Sequence, residues 1–166
     1  CNAFCSALTF NKQASKLYLR EYGIPMAAAR LLRKGDEYEP HLLIGELGLP
    51  CFVKPNDSGS SFGVSKVKTE DELSPAIEKA FLESDEVMVE AFMNGREVAC
   101  GVVRAGGKTI VLPVTEIISS NEFFDYEAKY TPGKSEEITP AQMTAEITSE
   151  IQDLSSRIYS ILGCKG

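Results

Sequence analysis

The sequence has no tryptophan and a single histidine, His41. Its five cysteines, Cys1, Cys5, Cys51, Cys100 and Cys164, are scattered and form no CxxC pair. That excludes the common Cys/His zinc sites. Basic residues are outnumbered, 17 against 24 acidic, for a net charge of −7. A duplex nucleic-acid binder presents a basic surface, so no nucleic-acid partner is expected. No apolar run approaches the roughly 20 residues needed to cross a bilayer, and no signal-peptide pattern is present, so no membrane partner is expected. There is no internal repeat and no low-complexity tract. The chain also lacks an initiating Met: it opens Cys1-Asn2-Ala3-Phe4-Cys5 and closes Gly163-Cys164-Lys165-Gly166. The expectation is a piece of a longer protein. Cys51 and Cys100 lie inside apolar runs, where a reduced thiol packs as a small hydrophobe, and unpaired thiols fit a cytoplasmic setting.

What the chain does have is a succession of short apolar runs separated by turn signals. Apolar residues make up 43% and charged residues 25%, a globular mix for one domain or two small lobes. Residues 7–22 read as a helix, with Phe10, Ala14, Leu17 and Tyr18 at helical spacing and a stop at Gly23 and Pro25. Residues 24–31 read as a strand, 36–47 as a helix ending at Gly48, and 50–54 as a buried strand. The small polar residues from Asn56 to Gly63 form a loop, and 64–67 a strand. Thr69-Glu70-Asp71-Glu72 has capping-box spacing for a helix running to about Ser84. Leu73, Ile77, Ala80 and Phe81 share one face of it, and Pro75 falls near the first turn. Residues 86–91 read as a strand, Asn94-Gly95 as a turn and 96–104 as the return strand. A second turn over 105–108 leads into a strand over 109–114. The polar stretch 119–139 reads as a long loop of the kind that is often functional. A last helix starts near Pro140 and ends at Gly163, with Met143, Ile147, Ile151, Leu154, Ile158 and Ile161 as its stripe. The order predicts an α+β fold with an antiparallel meander, not alternating βαβ units.

Three constellations could carry chemistry. Lys54 ends a buried strand, where an ammonium is costly unless an anion meets it. The residues after it, through Gly59-Ser60-Ser61-Phe62-Gly63, are small enough for amides and hydroxyls to close on phosphate oxygens. This is not a Walker A loop, because the lysine precedes the glycines and a strand follows; an ordinary flexible hairpin has the same composition. The second is the strand 87–93 followed by Glu97, which could seat an adenine edge and hold ribose hydroxyls, or be a plain hairpin with surface glutamates. The third, 123–130, interleaves four aromatics with charged residues, as a lid would or as a cluster anchoring the loop would. Lys12 and Lys16, four apart, read as a solvated helix face, and His41 as structural or solvent-facing. Residues 115–153, with nine acids and two bases, read as a solvated surface.

In this order the motifs resemble the D-alanine–D-alanine ligases of the ATP-grasp superfamily. The resemblance runs from Ser6-Ala7-Leu8 and Asn11-Lys12, through Lys54-Pro55, the segment 59–63, Glu90 to Glu97 and Asp125-Tyr126-Glu127-Ala128-Lys129-Tyr130, to Leu162-Gly163-Cys164-Lys165-Gly166. It implies an ATP-grasp fold, antiparallel sheets with packed helices, incomplete at both ends. Residues 1–23 would enter the ATP-grasp region, 24–90 would form a central lobe with the phosphate-binding hairpin, and 91–166 part of the C-terminal lobe with a substrate lid at 119–139. The implied activity joins two D-alanines through an acyl phosphate for peptidoglycan precursor synthesis, with ATP and Mg2+. Lys12 and Lys54 would hold the ATP phosphates, and Ser60 and Ser61 would be phosphate-loop serines, Ser60 also near the substrate. Glu90, Ala91, Phe92 and Met93 would form the adenine hinge and Glu97 the ribose ligand. Lys129 and Tyr130 would close on the γ-phosphate and substrates; with Ser60 they are the implied catalytic residues. Phe123 and Phe124 would line the nucleotide. The implied partners are small molecules, ATP and D-alanine, with a homodimer for the full-length protein.

The family also has features this sequence does not contain. Past the position of Gly166 it continues with an arginine and an aspartate, then a Glu and Asn pair that bind magnesium and the transition state, so no metal ligand is assigned in this chain. An amino-terminal domain that contacts the first D-alanine is likewise not here. Two rival functions are a D-alanine–D-lactate ligase, against which the Lys129-Tyr130 pair speaks, and a nucleotide-binding module with no ligase step. A third reading is an acidic interaction domain. The resemblance predicts that the 166 residues alone lack ligase activity. Incubated with ATP, magnesium and D-alanine, they are expected to release no phosphate above background, and robust turnover would refute this.

Overall fold

The computed structural model describes residues 2–165; Cys1 and Gly166 lie outside the described residues. The chain divides into two compact units, one spanning Leu8–Asn94 and the other formed by the segment from Gly95 onward with the residues up to Ala7.

The first unit holds helices α2 (Lys12–Glu21), α3 (Pro40–Leu47) and α4 (Leu73–Phe81) and a four-stranded sheet. Its strands are β1 (Ala29–Arg33), β2 (Cys51–Pro55), β3 (Ser65–Val67) and β4 (Glu86–Ala91), in the order β1-β4-β2-β3 and all antiparallel. One face is the core. Val53, Val67, Val87 and Val89 of the strands pack with Leu43 and Leu47 of α3 and Leu73, Ala76, Ile77 and Ala80 of α4. Side chains alternate across a pleated strand, yet Val87, Met88 and Val89 are all buried. The central strand β4 is therefore covered on both faces, and Met88 marks the face opposite α3 and α4.

The second unit is built on a three-stranded antiparallel sheet of β5 (Glu97–Ala105), β6 (Lys108–Ser119) and β7 (Ser135–Ile138). At the β5–β6 hairpin both central residues, Gly106 and Gly107, are left-handed, the twist that a tight hairpin requires. Helix α6 (Ala145–Ile161) packs on β5 and β6, and Gln152 Nε2 donates to the Leu112 carbonyl at 3.1 Å. The Cys5 and Cys164 thiols lie 3.6 Å apart.

Several elements depart from the sequence expectations, each for a local reason. The helix read over 7–22 is two helices, α1 (Ala3–Phe10) and α2. Asn11 turns extended between them and its side chain accepts from the Ala14 amide at 2.8 Å, so it caps α2. Phe10 and Leu17 of the expected stripe are exposed, and Leu19 is the buried residue of α2. The strand read over 24–31 begins at Ala29 because Gly23 and Ile24 close α2, bonding back to the Arg20 and Leu19 carbonyls. Helix α3 starts at Pro40 rather than 36, since Asp36 makes a turn with the Arg33 amide. In the expected capping box, Thr69 makes no side-chain cap and Glu72 accepts from the Lys68 amide instead; residues Glu70–Glu72 form a 3₁₀ turn before α4.

The strand after Asn94-Gly95 is not the return strand of β4. Both edges of β4 are already taken by β1 and β2, and β5 pairs with β6. The stretch 119–139 is not a bare loop but contains the end of a longer β6, a short helix α5 (Tyr126–Tyr130) and β7. The last helix starts at Ala145, capped by Thr144, because the Ala141 amide bonds the Val114 carbonyl and keeps 140–143 beside β6. Of its expected stripe no residue is fully buried, and Ile147 is 48% exposed.

Ile77 lies at the centre of the first unit's core, fully buried between α4 and the sheet. Ile77→Ala is expected to cost about 2–5 kcal/mol in chemical denaturation of the full-length protein; a loss under about 1 kcal/mol would contradict this placement.

Candidate functional site

The site begins with strand alternation. Because Val53 and Val89 point into the helical core, Lys54 and Glu90 point to the opposite face. The β2–β4 register sets Lys54 against Met88 and Phe52 against Glu90, so Lys54 and Glu90 are diagonal neighbours. The Glu90 carboxylate pairs with Lys54 through one oxygen and with Lys16 of α2 through the other. The Lys16, Glu90 and Lys54 side chains are only 12%, 15% and 25% exposed. Burial pushes the Glu90 carboxyl up, but Lys54 and Lys16 together outweigh it and hold the group below the usual glutamate range.

Lys12 and Lys16 are one helical turn apart and face the same way. Lys16 also donates to the Ala27 carbonyl at 2.7 Å. Lys12 donates to the Pro55 carbonyl at 2.7 Å and the Ser58 carbonyl at 2.6 Å, with Asn56 O at 3.4 Å. Burial first, and then the nearby charge of Lys54, pull the Lys12 ammonium below the usual lysine range. The solvated-face reading of these lysines is therefore overturned. What fixes α2 here is Asn56, the fully buried polar residue of the described chain. Its side chain accepts from the Gln13 amide at 2.9 Å and donates to Glu86 Oε2 at 2.8 Å, and its carbonyl accepts the Lys12 amide at 3.2 Å.

The hairpin after Lys54 is conformationally unusual. Ser60 and Ser61 have φ of 53° and 58°, a left-handed conformation uncommon outside glycine. The Phe62 amide bonds the Gly59 carbonyl at 3.0 Å and the Val64 amide the Ser61 carbonyl at 3.3 Å, which closes the turn around the two serines. Gly63 closes the hairpin at φ 72°, and a Cβ there would stand 2.8 Å from Pro55 Cγ. Beyond Glu90, the Ala91 amide bonds the Ala28 carbonyl at 2.9 Å. The Phe92 ring sits 6.1 Å from Phe52 with the Lys66 ammonium 4.5 Å from its centroid, and Met93 is exposed.

In the second unit, Glu97 opens β5 and is exposed. Helix α5 presents Lys129 and Tyr130. Asp125 caps it by accepting from the Ala128 amide at 2.8 Å, and Asn121 Nδ2 holds Asp125 at 3.0 Å. Ala128 is buried, which anchors the turn, while Tyr130 is 60% exposed. Lys129 lies over the Phe124 ring at 5.2 Å, and the Tyr126 and Tyr130 rings meet at a tilt of 46° with centroids 4.8 Å apart. Phe123 is tied through its carbonyl to the Ser119 hydroxyl at 3.0 Å. His41 is solvent-facing, 61% exposed and 3.8 Å from Glu39. Among the described residues no cluster of three or more His, Cys, Asp or Glu could hold a metal ion, and no helix is long and apolar enough to cross a membrane.

Residues 18–166 match the family model described as D-ala D-ala ligase C-terminus. The chain belongs to the D-alanine–D-alanine ligase family. The D-alanine–D-alanine ligase of Phocaeicola vulgatus is 54% identical over 166 residues, all of this chain and 51% of that protein. That of Bacteroides fragilis is 48% identical over the same span, again 51% of its length. The chain thus spans about half the length of the curated relatives it matches. Among solved structures, the VanG D-Ala:D-Ser ligase of Enterococcus faecalis aligns with a TM-score of 0.83 and 37% identity, covering 99% of this chain and 48% of that one. The D-alanyl-alanine synthetase A of Vibrio cholerae aligns at 0.86 and 30% identity, covering 99% and 51%. The architecture is the ATP-grasp fold of these ligases.

Within this ligase-family fold the sequence reading missed Lys16 and Asn56. The i, i+4 spacing of Lys12 and Lys16 carried the signal that both share a face, but not that the face is covered. Glu90 yields a pH prediction. Its folded carboxyl titrates below its unfolded one, so the pairing stabilises the fold at neutral pH and is lost as pH falls below the ordinary glutamate range. Glu90→Gln is expected to lower stability at neutral pH and to flatten the acid limb of stability against pH, measured by denaturation at a series of pH values. An unchanged acid limb would count against it.

Proposed function

We propose that the full-length protein is an ATP-dependent ligase that joins two D-alanines for peptidoglycan precursor synthesis, and that this chain is its ATP-binding portion. The observation that carries the reading is two ammonium groups, Lys12 on the Pro55 and Ser58 carbonyls and Lys54 on the Glu90 carboxylate, beside a left-handed serine hairpin. In a chain of net charge −7, such a concentration of positive charge fits a polyphosphate. Lys12 and Lys54 serve the phosphates, and the Ser60 and Ser61 hydroxyls and amides supply further donors. Glu90, Ala91, Phe92 and Met93 form the adenine hinge, Glu97 takes the ribose, and Phe123 and Phe124 line the nucleotide.

One D-alanine carboxylate attacks the γ-phosphorus, forming an acyl phosphate and releasing ADP. The amine of the second D-alanine attacks that carbonyl, phosphate leaves, and the amine loses a proton. Both steps depend on positive charge already in place around the moving phosphoryl group. An acyl phosphate is destroyed by water, so the segment 119–139 with Lys129 and Tyr130 acts as the lid that excludes it. On this reading the ligands of a magnesium ion lie outside these 166 residues, and the ion would add positive charge at the phosphates. Homodimer formation and a cytoplasmic location complete the reading. The acceptor is taken as D-alanine because the relative at 54% identity is a D-alanine–D-alanine ligase, against 37% for the D-Ala:D-Ser enzyme.

Lys129→Ala in the full-length protein is expected to lower D-alanyl-D-alanine formation by roughly 100-fold or more while ATP still binds. Turnover near wild type would refute the lid role of Lys129, and a wild-type full-length protein that binds ATP but forms no D-alanyl-D-alanine would favour a nucleotide-binding module.

A further inference from the structure

The two lysines on Glu90 are not equivalent. Lys16 is the more shielded, 12% against 25% exposed, and is fixed at a second point by the Ala27 carbonyl at 2.7 Å. It thereby joins α2, the segment before β1 and the end of β4. Lys54 stands next to the serine hairpin, and its other neighbour is the Phe52 ring at 5.2 Å. A phosphate group arriving at the hairpin can recruit Lys54 only by taking it from Glu90. A shielded carboxylate stripped of every counter-charge is strongly unfavourable.

We propose that Lys16 is a positioning residue for nucleotide binding: it is the standing counter-charge of Glu90, and its presence leaves Lys54 available to an incoming phosphate. The proposal rests on the nucleotide reading given above. With Lys16 in place, Glu90 keeps one partner while Lys54 turns toward the anion. Without it, Glu90 has Lys54 as its remaining partner, and a phosphate must compete for that lysine. Lys16 therefore acts through Glu90 and not by touching the nucleotide.

The test uses the full-length protein with ATP and D-alanine. Lys16→Met is expected to raise the KM and Kd for ATP about 10-fold or more, with kcat and the KM for D-alanine within about threefold of wild type. Lys16→Arg, which keeps the charge, is expected to bring the ATP constants back to within about threefold. An ATP affinity unchanged in Lys16→Met, or an equal loss for every substrate, overturns the proposal. A second comparison holds if Lys16→Met does not fold, because it starts from a neutral side chain at position 90. Adding Lys16→Gln to Glu90→Gln is expected to leave ATP affinity where Glu90→Gln alone puts it, and a further 10-fold loss overturns it, since Lys16 would then be acting on the nucleotide directly. Failure of the wild-type protein to bind ATP would instead overturn the functional reading and this inference with it.

Discussion

The Glu90 carboxylate balances two ammonium groups in a place that water reaches poorly. The polar face of the first unit is arranged around this fact. Lys54 can end a largely buried strand because Glu90 is diagonal to it on the neighbouring strand. Helix α2 can press a second lysine onto the sheet because the same carboxylate has another oxygen. Were the strands paired one residue out of register, Glu90 would turn into the valine and leucine core, and both lysines would lose their partner. The apolar face and the charged face of the sheet thus fix each other: the valines set the register, and the register makes the ion pairs possible.

Asn56 plays the complementary part. A buried amide is tolerated only when its polar atoms are satisfied, and here they reach the N-terminus of α2, the start of β4 and the backbone around Lys12. Side-chain bonds of this kind hold a helix end to a sheet more stiffly than apolar packing does, since they have direction as well as range. The hairpin that follows therefore hangs from a rigid base, while its own serines sit in left-handed backbone that the base must sustain.

Much of this was legible in the sequence where the cause is local. Strand β4, read over 86–91, coincides with Glu86–Ala91, because its valines and flanking polar residues report both burial and ends. Gly48 and Gly23 marked helix stops for steric reasons that need no partner. The Asn11 cap was also local, and was obscured by apolar residues that happened to keep helical spacing across it. What was not legible is set by distant pairing. Nothing near Asn94-Gly95 reveals that both edges of β4 are occupied by β1 and β2. The spacing of Lys12 and Lys16 gave their shared face but not the sheet beneath it. The helix over 126–130 is one short turn held by Asp125 and Asn121, too short for periodicity to register.

The two glycines of the hairpin look interchangeable in the sequence, and the structure separates them. At Gly63 a methyl group would meet Pro55 Cγ at 2.8 Å and Glu83 Cγ at 3.0 Å on a left-handed backbone, whereas at Gly59 nothing lies within 4 Å of the same position. The loop therefore has one end closed to substitution and one end open. A side chain at 59 would stand in open space, while any side chain at 63 must push against Pro55 and Glu83. The hinge of the hairpin is therefore the position that admits no residue but glycine without a shift of β2's last residue.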